Sequence, residues 1–203
     1  YHTPTIGWMA DLQRMTIDDL RHWYESWYAP NNATLVVVGD VTADEVKTLA
    51  KRYFGEIPWR QLPPARKPLE LAEPGERRLK LYVRTQLPNL IMGFNVPSLG
   101  SSENPREVNA LRLIGALLDG GYSARLASRL ERGEELVAGA STYYDAFNRG
   151  DSLFVLSATP NVQKGKTLEQ VEAGLWKQLD DLKQNPPSAA EIERVRAQMI
   201  AGM

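Results

Sequence analysis

Apolar residues repeat at helical spacing in two parts of the N-terminal region. Trp23 and Trp27 lie four residues apart in a segment that follows Thr16, a residue type favoured at helix N-caps. Thr42 and Glu45 form the S/T-x-x-E pattern of a capping box, which predicts the start of a second amphipathic helix. The segment 33–40 between them, ATLVVVGD, is a β-branched apolar run that ends in Gly-Asp. This pattern predicts a strand buried on both faces.

A proline-rich segment follows at 58–76. Repeated prolines favour an extended, semi-rigid connector, and five of them fall in this segment: Pro58, Pro63, Pro64, Pro68 and Pro74. We therefore expect a domain boundary here.

Strand and helix patterns come in pairs after the boundary. Period-two alternation predicts a half-buried strand over 77–86, and LIMGFNVP predicts a more buried one. Two further strands, 137–147 and 152–160, are expected to form a hairpin. Helices are predicted at about 103–118, 122–133 and 165–184, with another beginning after Ser188, where Glu191 completes a capping-box pattern. The order ββ-αα-ββ-αα predicts an α+β fold, with helices on one face of a mainly antiparallel sheet.

Composition narrows the function classes. The 203 residues carry 24 basic and 25 acidic side chains, a balance that argues against a nucleic-acid or anionic-membrane binder. No cysteine is present, which excludes disulfides, thiolate zinc sites and cysteine nucleophiles. Two histidines, His2 and His22, are too few for an all-histidine zinc site. No apolar run approaches the roughly 20 residues of a membrane span.

Candidate catalytic motifs are incomplete. His22, Glu25 and Ser26 follow the spacing of the inverted zinc motif His-x-x-Glu-His, but a serine stands where the second histidine would bind metal. An exposed His and Glu on an amphipathic helix is the simpler interpretation. The Asp-Gly-Gly segment that begins at Asp119 lacks the Gly-Lys-Ser ending of a phosphate loop, so we expect a helix–helix turn.

Six features in order over residues 1–58 resemble the insulinase/pitrilysin-type zinc peptidases, a group that includes the mitochondrial processing peptidases. They are an HTPTIG loop, a T-x-x-D-L helix, an aromatic-Ala-Pro-Asn-Asn turn, a strand ending VVGD, a helix ending YFG, and the x-IP segment that follows that helix. LLDGGYSARLASRL is similar to the family's glycine turn and Ser-x-Arg-Leu helix.

The resemblance implies a processing-peptidase-like metallohydrolase fold divided between two domains. Residues 1–57 would be the tail of the zinc-bearing first domain, 58–76 the linker, and 77–203 an incomplete, non-catalytic second domain. We expect the chain to be a fragment, with the zinc ligands of its parent upstream of Tyr1. No catalytic or metal-binding residue is therefore assigned to this chain, and zinc is expected only in the full-length protein.

One departure from the family pattern concerns an Arg/Tyr pair that grips substrate near the metal. The family motif is L-R-x-x-x-x-L-x-Y, and here Glu131 stands in place of the Arg and Ala138 in place of the Tyr. A carboxylate cannot stabilise a developing oxyanion as a guanidinium does. The alternative is a local shift of the motif that uses Arg132 and Tyr143.

The resemblance implies two functions. In the first, the chain forms the chamber wall and docking surface of a zinc metalloendopeptidase acting on extended peptides. Its partners would be the missing zinc-bearing domain and a second half-unit, in a homodimer or heterodimer. In the second, the chain belongs to an inactive scaffold or core subunit. Resemblance to bacterial relatives also leads us to expect an exported, periplasmic location if the source is bacterial.

Overall fold

The structure is a computed structural model that describes residues 5–64 and 75–202. The chain divides into two compact units, Tyr1–Arg66 and Lys67–Met203. The boundaries 57/58 and 76/77 stay a prediction, because most of the proline-rich segment lies outside the described residues.

The described residues of unit 1 form three α-helices and a 3₁₀ turn: α1 (Met9–Arg14), α2 (Ile17–Trp27), the turn Pro30–Asn32, and α3 (Ala43–Phe54). Both predicted N-caps are confirmed. The hydroxyls of Thr16 and Thr42 accept the backbone N–H of the third residue of α2 and α3, respectively. The carboxylate of that third residue in turn accepts the backbone N–H of the threonine. The local sequence therefore determines where α2 and α3 begin.

The predicted strand at 33–40 is wrong for this structure. These residues join no ladder, and their apolar side chains lie in solvent: Val36 is 77% exposed and Val38 94%. A strand needs a hydrogen-bonded neighbour, and unit 1 has no other strand among the residues that the structure describes. Ala29 is the one apolar residue of that described part with less than a tenth of its surface exposed.

Unit 2 is built on a three-stranded antiparallel sheet. Its strands are β1 (Leu90–Val96), β2 (Val137–Tyr143) and β3 (Ser152–Pro160), in the order β1-β3-β2. The predicted hairpin is confirmed, since β2 pairs directly with β3. β3 lies in the centre, and its side chains alternate strictly between buried and half-buried positions.

Helices cover one face of this sheet. They are α4 (Pro105–Asp119), a π-helix (Leu126–Glu131) and α5 (Leu168–Gln184), while α6 (Ala189–Ala201) packs against α4. The core beneath them combines Leu126 and Leu130 of the π-helix with Phe154 and Leu156 of β3 and Leu175 of α5. The predicted class, a mixed α+β fold with a mainly antiparallel sheet, is confirmed.

Two predicted elements of unit 2 differ from the structure. The expected strand 77–86 is unpaired and exposed, so β1 has no hairpin partner among the described residues that precede it. Arg78 within it forms a two-pronged ion pair with Glu172 of α5, at 2.7 and 2.9 Å. The helix expected at 122–133 is limited to the π-helix Leu126–Glu131, because residues 122–124 continue the turn that begins at Gly120 and Gly121.

Candidate functional site

The corner between α4 and β2, residues 119–138, contains Glu131 and Ala138, the two positions at which the chain departs from the family motif. α4 ends at Asp119, and the chain reverses through Gly120 and Gly121 before the π-helix begins. Gly121 has φ +96°, a conformation that L side chains rarely adopt. The predicted helix–helix turn is therefore confirmed, and glycine is needed for its backbone geometry.

A buried arginine anchors this corner to the last helix. The Arg125 side chain is 7% exposed, and its Nε and Nη2 donate to the two carboxylate oxygens of Glu191 at 2.9 Å each. These bonds lower the pKa of Glu191 and raise that of Arg125. Ser188 accepts from the Glu191 backbone N–H at 3.2 Å, as a cap should. The reciprocal half of the predicted capping box is absent because Arg125 holds the carboxylate.

Asp181 of α5 extends the network. Arg129 donates to its Oδ2 at 2.5 Å and to Gln178 Oε1 at 3.0 Å, while Arg125 lies 3.5 Å from the same carboxylate. The hydrogen bond from Arg129 is the main cause of a lowered pKa at Asp181. Sequence reasoning missed this network. Its one available signal was the arginine of the Ser-x-Arg-Leu motif, since the acidic partners lie more than 50 residues away.

Glu131 and Ala138 lie on either side of the turn into β2. Glu131 is half-buried, and its Oε1 accepts the backbone N–H of Ala140 at 3.1 Å. Ala138 is exposed and falls within a register shift of β2 between Val137 and Gly139. At these two positions, then, the structure has a carboxylate bound to backbone and a side chain with no polar group. That they correspond to the family's Arg/Tyr pair stays a prediction.

The alternative residues, Arg132 and Tyr143, make separate contacts. The Arg132 guanidinium lies over the Tyr122 ring, 3.8 Å from its centre, and donates to the Tyr122 carbonyl. Tyr143 is 62% exposed, on the sheet face without helices. The next residue, Tyr144, is directed inward and donates its hydroxyl to the Pro97 carbonyl, with burial as the main cause of its raised pKa. Tyr143 and Tyr144 thus point to opposite faces, as alternation predicts.

The zinc-like motif of α2 does not form a metal site in the described part of the chain. His22 and Glu25 are both exposed. Within residues 5–64 and 75–202 no group of three or more His, Cys, Asp or Glu side chains could hold a metal ion, so the residues present do not fit zinc. His2 lies outside the described residues. No helix in that same portion is long and apolar enough to span a membrane.

The architecture defines the class before any relative is considered. It is an α+β domain with helices on one face of an antiparallel sheet and no metal-binding cluster among its described residues. The family description "Peptidase M16 inactive domain" matches residues 14–199. The chain therefore belongs to the M16 peptidase family, and the match is to its inactive domain.

Curated relatives agree with this assignment. The chain is 27% identical over 202 residues to the zinc protease PqqE of Helicobacter pylori, covering 97% of this chain and 43% of the relative. It is 22% identical over 196 residues to YmxG of Bacillus subtilis, described as an uncharacterized zinc protease, covering 97% and 45%. The chain thus spans less than half the length of these relatives.

Solved structures share the fold. A protease from Helicobacter pylori superimposes with a TM-score of 0.80 at 26% identity, covering 97% of this chain and 47% of the other. The first half of the periplasmic protease PqqL from Escherichia coli gives a TM-score of 0.70 at 18% identity, covering 97% and 41%. The second likeness supports the fold alone.

Proposed function

We propose that this chain is the non-catalytic part of a zinc-dependent metalloendopeptidase, and that the uncovered face of its sheet forms a wall of the peptide chamber. The observation that carries the proposal is the one-sided packing of unit 2. Helices bury one face, whereas Ile91, Gly93 and Tyr143 are exposed on the other. Relatives named zinc proteases support a zinc ion in the full-length protein, outside the residues described.

The composition of the uncovered face suits contact with varied peptides. β3 contributes Ser157 and Thr159, whose hydroxyls both approach the amide oxygen of Asn89, at 3.4 and 3.3 Å. β1 contributes Gly93, where an added Cβ would meet open space. A face of small and polar side chains around a few apolar ones can contact an extended chain without selecting one side chain.

A partner domain is the second part of the proposal. The apolar run of 33–40 is solvated in unit 1, and burial of such side chains contributes about 25 cal/mol per Å² of apolar surface. We infer that Val36 and Val38 pack within a sheet supplied by the rest of the first domain, and that two half-units enclose the substrate. The family match and the coverage of less than half of each relative support this inference.

A tryptophan scan of the uncovered face tests the chamber wall. In the intact protein, Gly93→Trp should lower kcat/KM for an extended peptide by about tenfold, since it blocks the face without entering the core. Glu193→Trp, at an exposed position of α6, is the matched control and should leave kcat/KM unchanged. Equal kcat/KM values for both variants and the parent would contradict the proposal that this face is a wall of the peptide chamber.

Metal analysis tests the placement of zinc. We expect the 203-residue chain alone to bind no stoichiometric zinc and to cleave no peptide, and the intact protein to hold zinc in its first domain. One tightly held zinc per isolated chain would contradict this assignment.

The second candidate function is an inactive scaffold in a protein assembly. It is favoured by Glu131, whose carboxylate binds the strand backbone, and by Ala138, which offers no polar group. The sequence of the remaining protein discriminates the two: His-x-x-Glu-His with a distant Glu selects the enzyme, and its absence selects the scaffold. The exported location stays a prediction that cell fractionation tests.

A further inference from the structure

Among the described residues, strand β2 forms one edge of the sheet in unit 2, because β3 is its single strand neighbour there. An edge strand normally presents a row of unpaired backbone N–H and C=O groups, which is a template for another extended chain. On antiparallel strands these outward groups belong to alternate residues. In β2, Ala140 and Thr142 are two residues apart, and both of their N–H groups donate to side chains rather than to β3.

The acceptors are two carboxylates from the elements beside the edge. Asp119, the last residue of α4, accepts the Thr142 N–H at 2.9 Å through Oδ2. Glu131, the last residue of the π-helix, accepts the Ala140 N–H at 3.1 Å. The Thr142 hydroxyl also donates to the Gly115 carbonyl of α4 at 3.2 Å. Two consecutive outward N–H groups of β2, those of Ala140 and Thr142, are therefore already hydrogen-bonded.

The bulge at Ala138 acts on the same edge. An extra residue between Val137 and Gly139 interrupts the register with β3 just before the capped positions. A bulge increases the local twist and spoils the flat geometry that an incoming strand requires. Carboxylates bound to the N–H groups and a bulged backbone thus both act against strand pairing at β2.

We propose that Asp119 and Glu131 close the β2 edge to strand addition, so that neither an extended peptide nor a second copy of the chain pairs there. This gives Glu131 a role that its charge suits: a carboxylate accepts a backbone N–H, whereas an arginine, which has no acceptor, cannot. The inference concerns the sheet alone and does not depend on whether the protein is a peptidase.

Amide exchange in the intact protein directly tests the hydrogen bonds from the β2 backbone to Asp119 and Glu131. In the double variant Asp119→Ala/Glu131→Ala, the N–H groups of Ala140 and Thr142 should exchange about tenfold faster, as expected for loss of one hydrogen bond each. The amide of Ser141, between them, serves as the internal reference. Glu131→Gln alone, which keeps an acceptor oxygen, should preserve protection at Ala140. Unchanged exchange at both positions in the double variant would overturn the proposal that these carboxylates close the edge.

Sedimentation tests the consequence for strand addition. The double variant should associate with rising concentration while the parent does not, with a matching gain in far-UV strand signal. Glu103→Ala, which removes an exposed carboxylate distant from β2 in sequence, is the control and should behave as the parent does. Faster exchange without any association would contradict closure of the edge. If the double variant loses the parent's thermal transition, the single variants Asp119→Ala and Glu131→Ala replace it in both measurements, with the same outcomes expected at one amide each.

Discussion

The two units contain helices with equally good local signals, yet among the described residues only unit 2 has a hydrophobic core. α2 and α3 of unit 1 begin with full capping boxes and bury no residue. α5 of unit 2 begins with the same kind of box at Thr167, and it buries Val171 and Leu175 against the sheet. Capping therefore specifies where a helix starts, but the neighbouring sheet determines whether its apolar face is buried.

The largest difference between the units should appear in core substitutions. Leu126→Ala removes a fully buried side chain of unit 2, and we expect it to lower the free energy of unfolding by about 3–4 kcal/mol. Val38→Ala, at an exposed position of unit 1, should change it by less than about 0.5 kcal/mol. Denaturant unfolding of the 203-residue chain measures both.

The same two substitutions in the intact protein test whether segment 33–40 has strand neighbours there. If segment 33–40 packs in a sheet there, Val38→Ala should cost about 1–3 kcal/mol, while Leu126→Ala keeps its effect. An unchanged, negligible cost of Val38→Ala in the intact protein would count against the partner sheet.

Ion pairs provide the second contrast. Arg125→Met leaves the Glu191 carboxylate without its main partner in a partly buried site, so we expect a loss of about 2–4 kcal/mol. Arg21→Met in unit 1 removes an exposed pair with Asp18 and should cost less than about 0.5 kcal/mol. Equal losses in chemical unfolding of the two variants would show that the Arg125 network behaves as a surface pair.

The pH dependence of unit 2 follows from the same network. Hydrogen bonds from Arg125 lower the pKa of Glu191 in the folded state. The stabilisation is therefore complete well above the ordinary glutamate pKa of about 4.3, and it is lost as the pH falls through the lowered folded value. Unfolding curves of the parent and of Glu191→Gln should differ at pH 7 and converge in acid. Glu193→Gln on the same helix is the control, and a gap that does not narrow as the pH is lowered would argue against the Glu191 origin.

Signals close in sequence were sufficient for much of this structure. Thr16 and Thr42 marked helix starts correctly, and strand alternation placed Tyr143 and Tyr144 on opposite faces. The strand expected over 33–40 was wrong because periodicity records which side chains suit a sheet, not whether a partner strand is present. The same limit applies to 77–86, where Arg78 binds α5 and β1 pairs with β3 alone.

The candidate site also combines features that the sequence could predict with features that it could not. Glu131 and Ala138 could be singled out by comparison with a motif, but the hydrogen bond from Ala140 to Glu131 could not, because the packing of the π-helix against β2 brings these residues together. The Arg125 network was invisible for a different reason. Its acidic partners lie on α5 and α6, and only the packing of those helices brings Asp181 and Glu191 to the guanidinium.

The capping boxes of α5 and α3 provide the last contrast between the units. Thr167→Ala removes the cap of a helix that packs on the sheet, and it should lower the free energy of cooperative unfolding by about 1 kcal/mol. Thr42→Ala removes the same bonds from α3, which buries no residue. It should therefore reduce the far-UV helix signal and the amide protection of α3 without moving the main unfolding transition. Thr42→Ser and Thr167→Ser keep the hydroxyl, so both variants should give the parent's helix signal, amide protection and unfolding free energy. A shift of the main transition by Thr42→Ala as large as that by Thr167→Ala would mean that unit 1 unfolds together with the sheet.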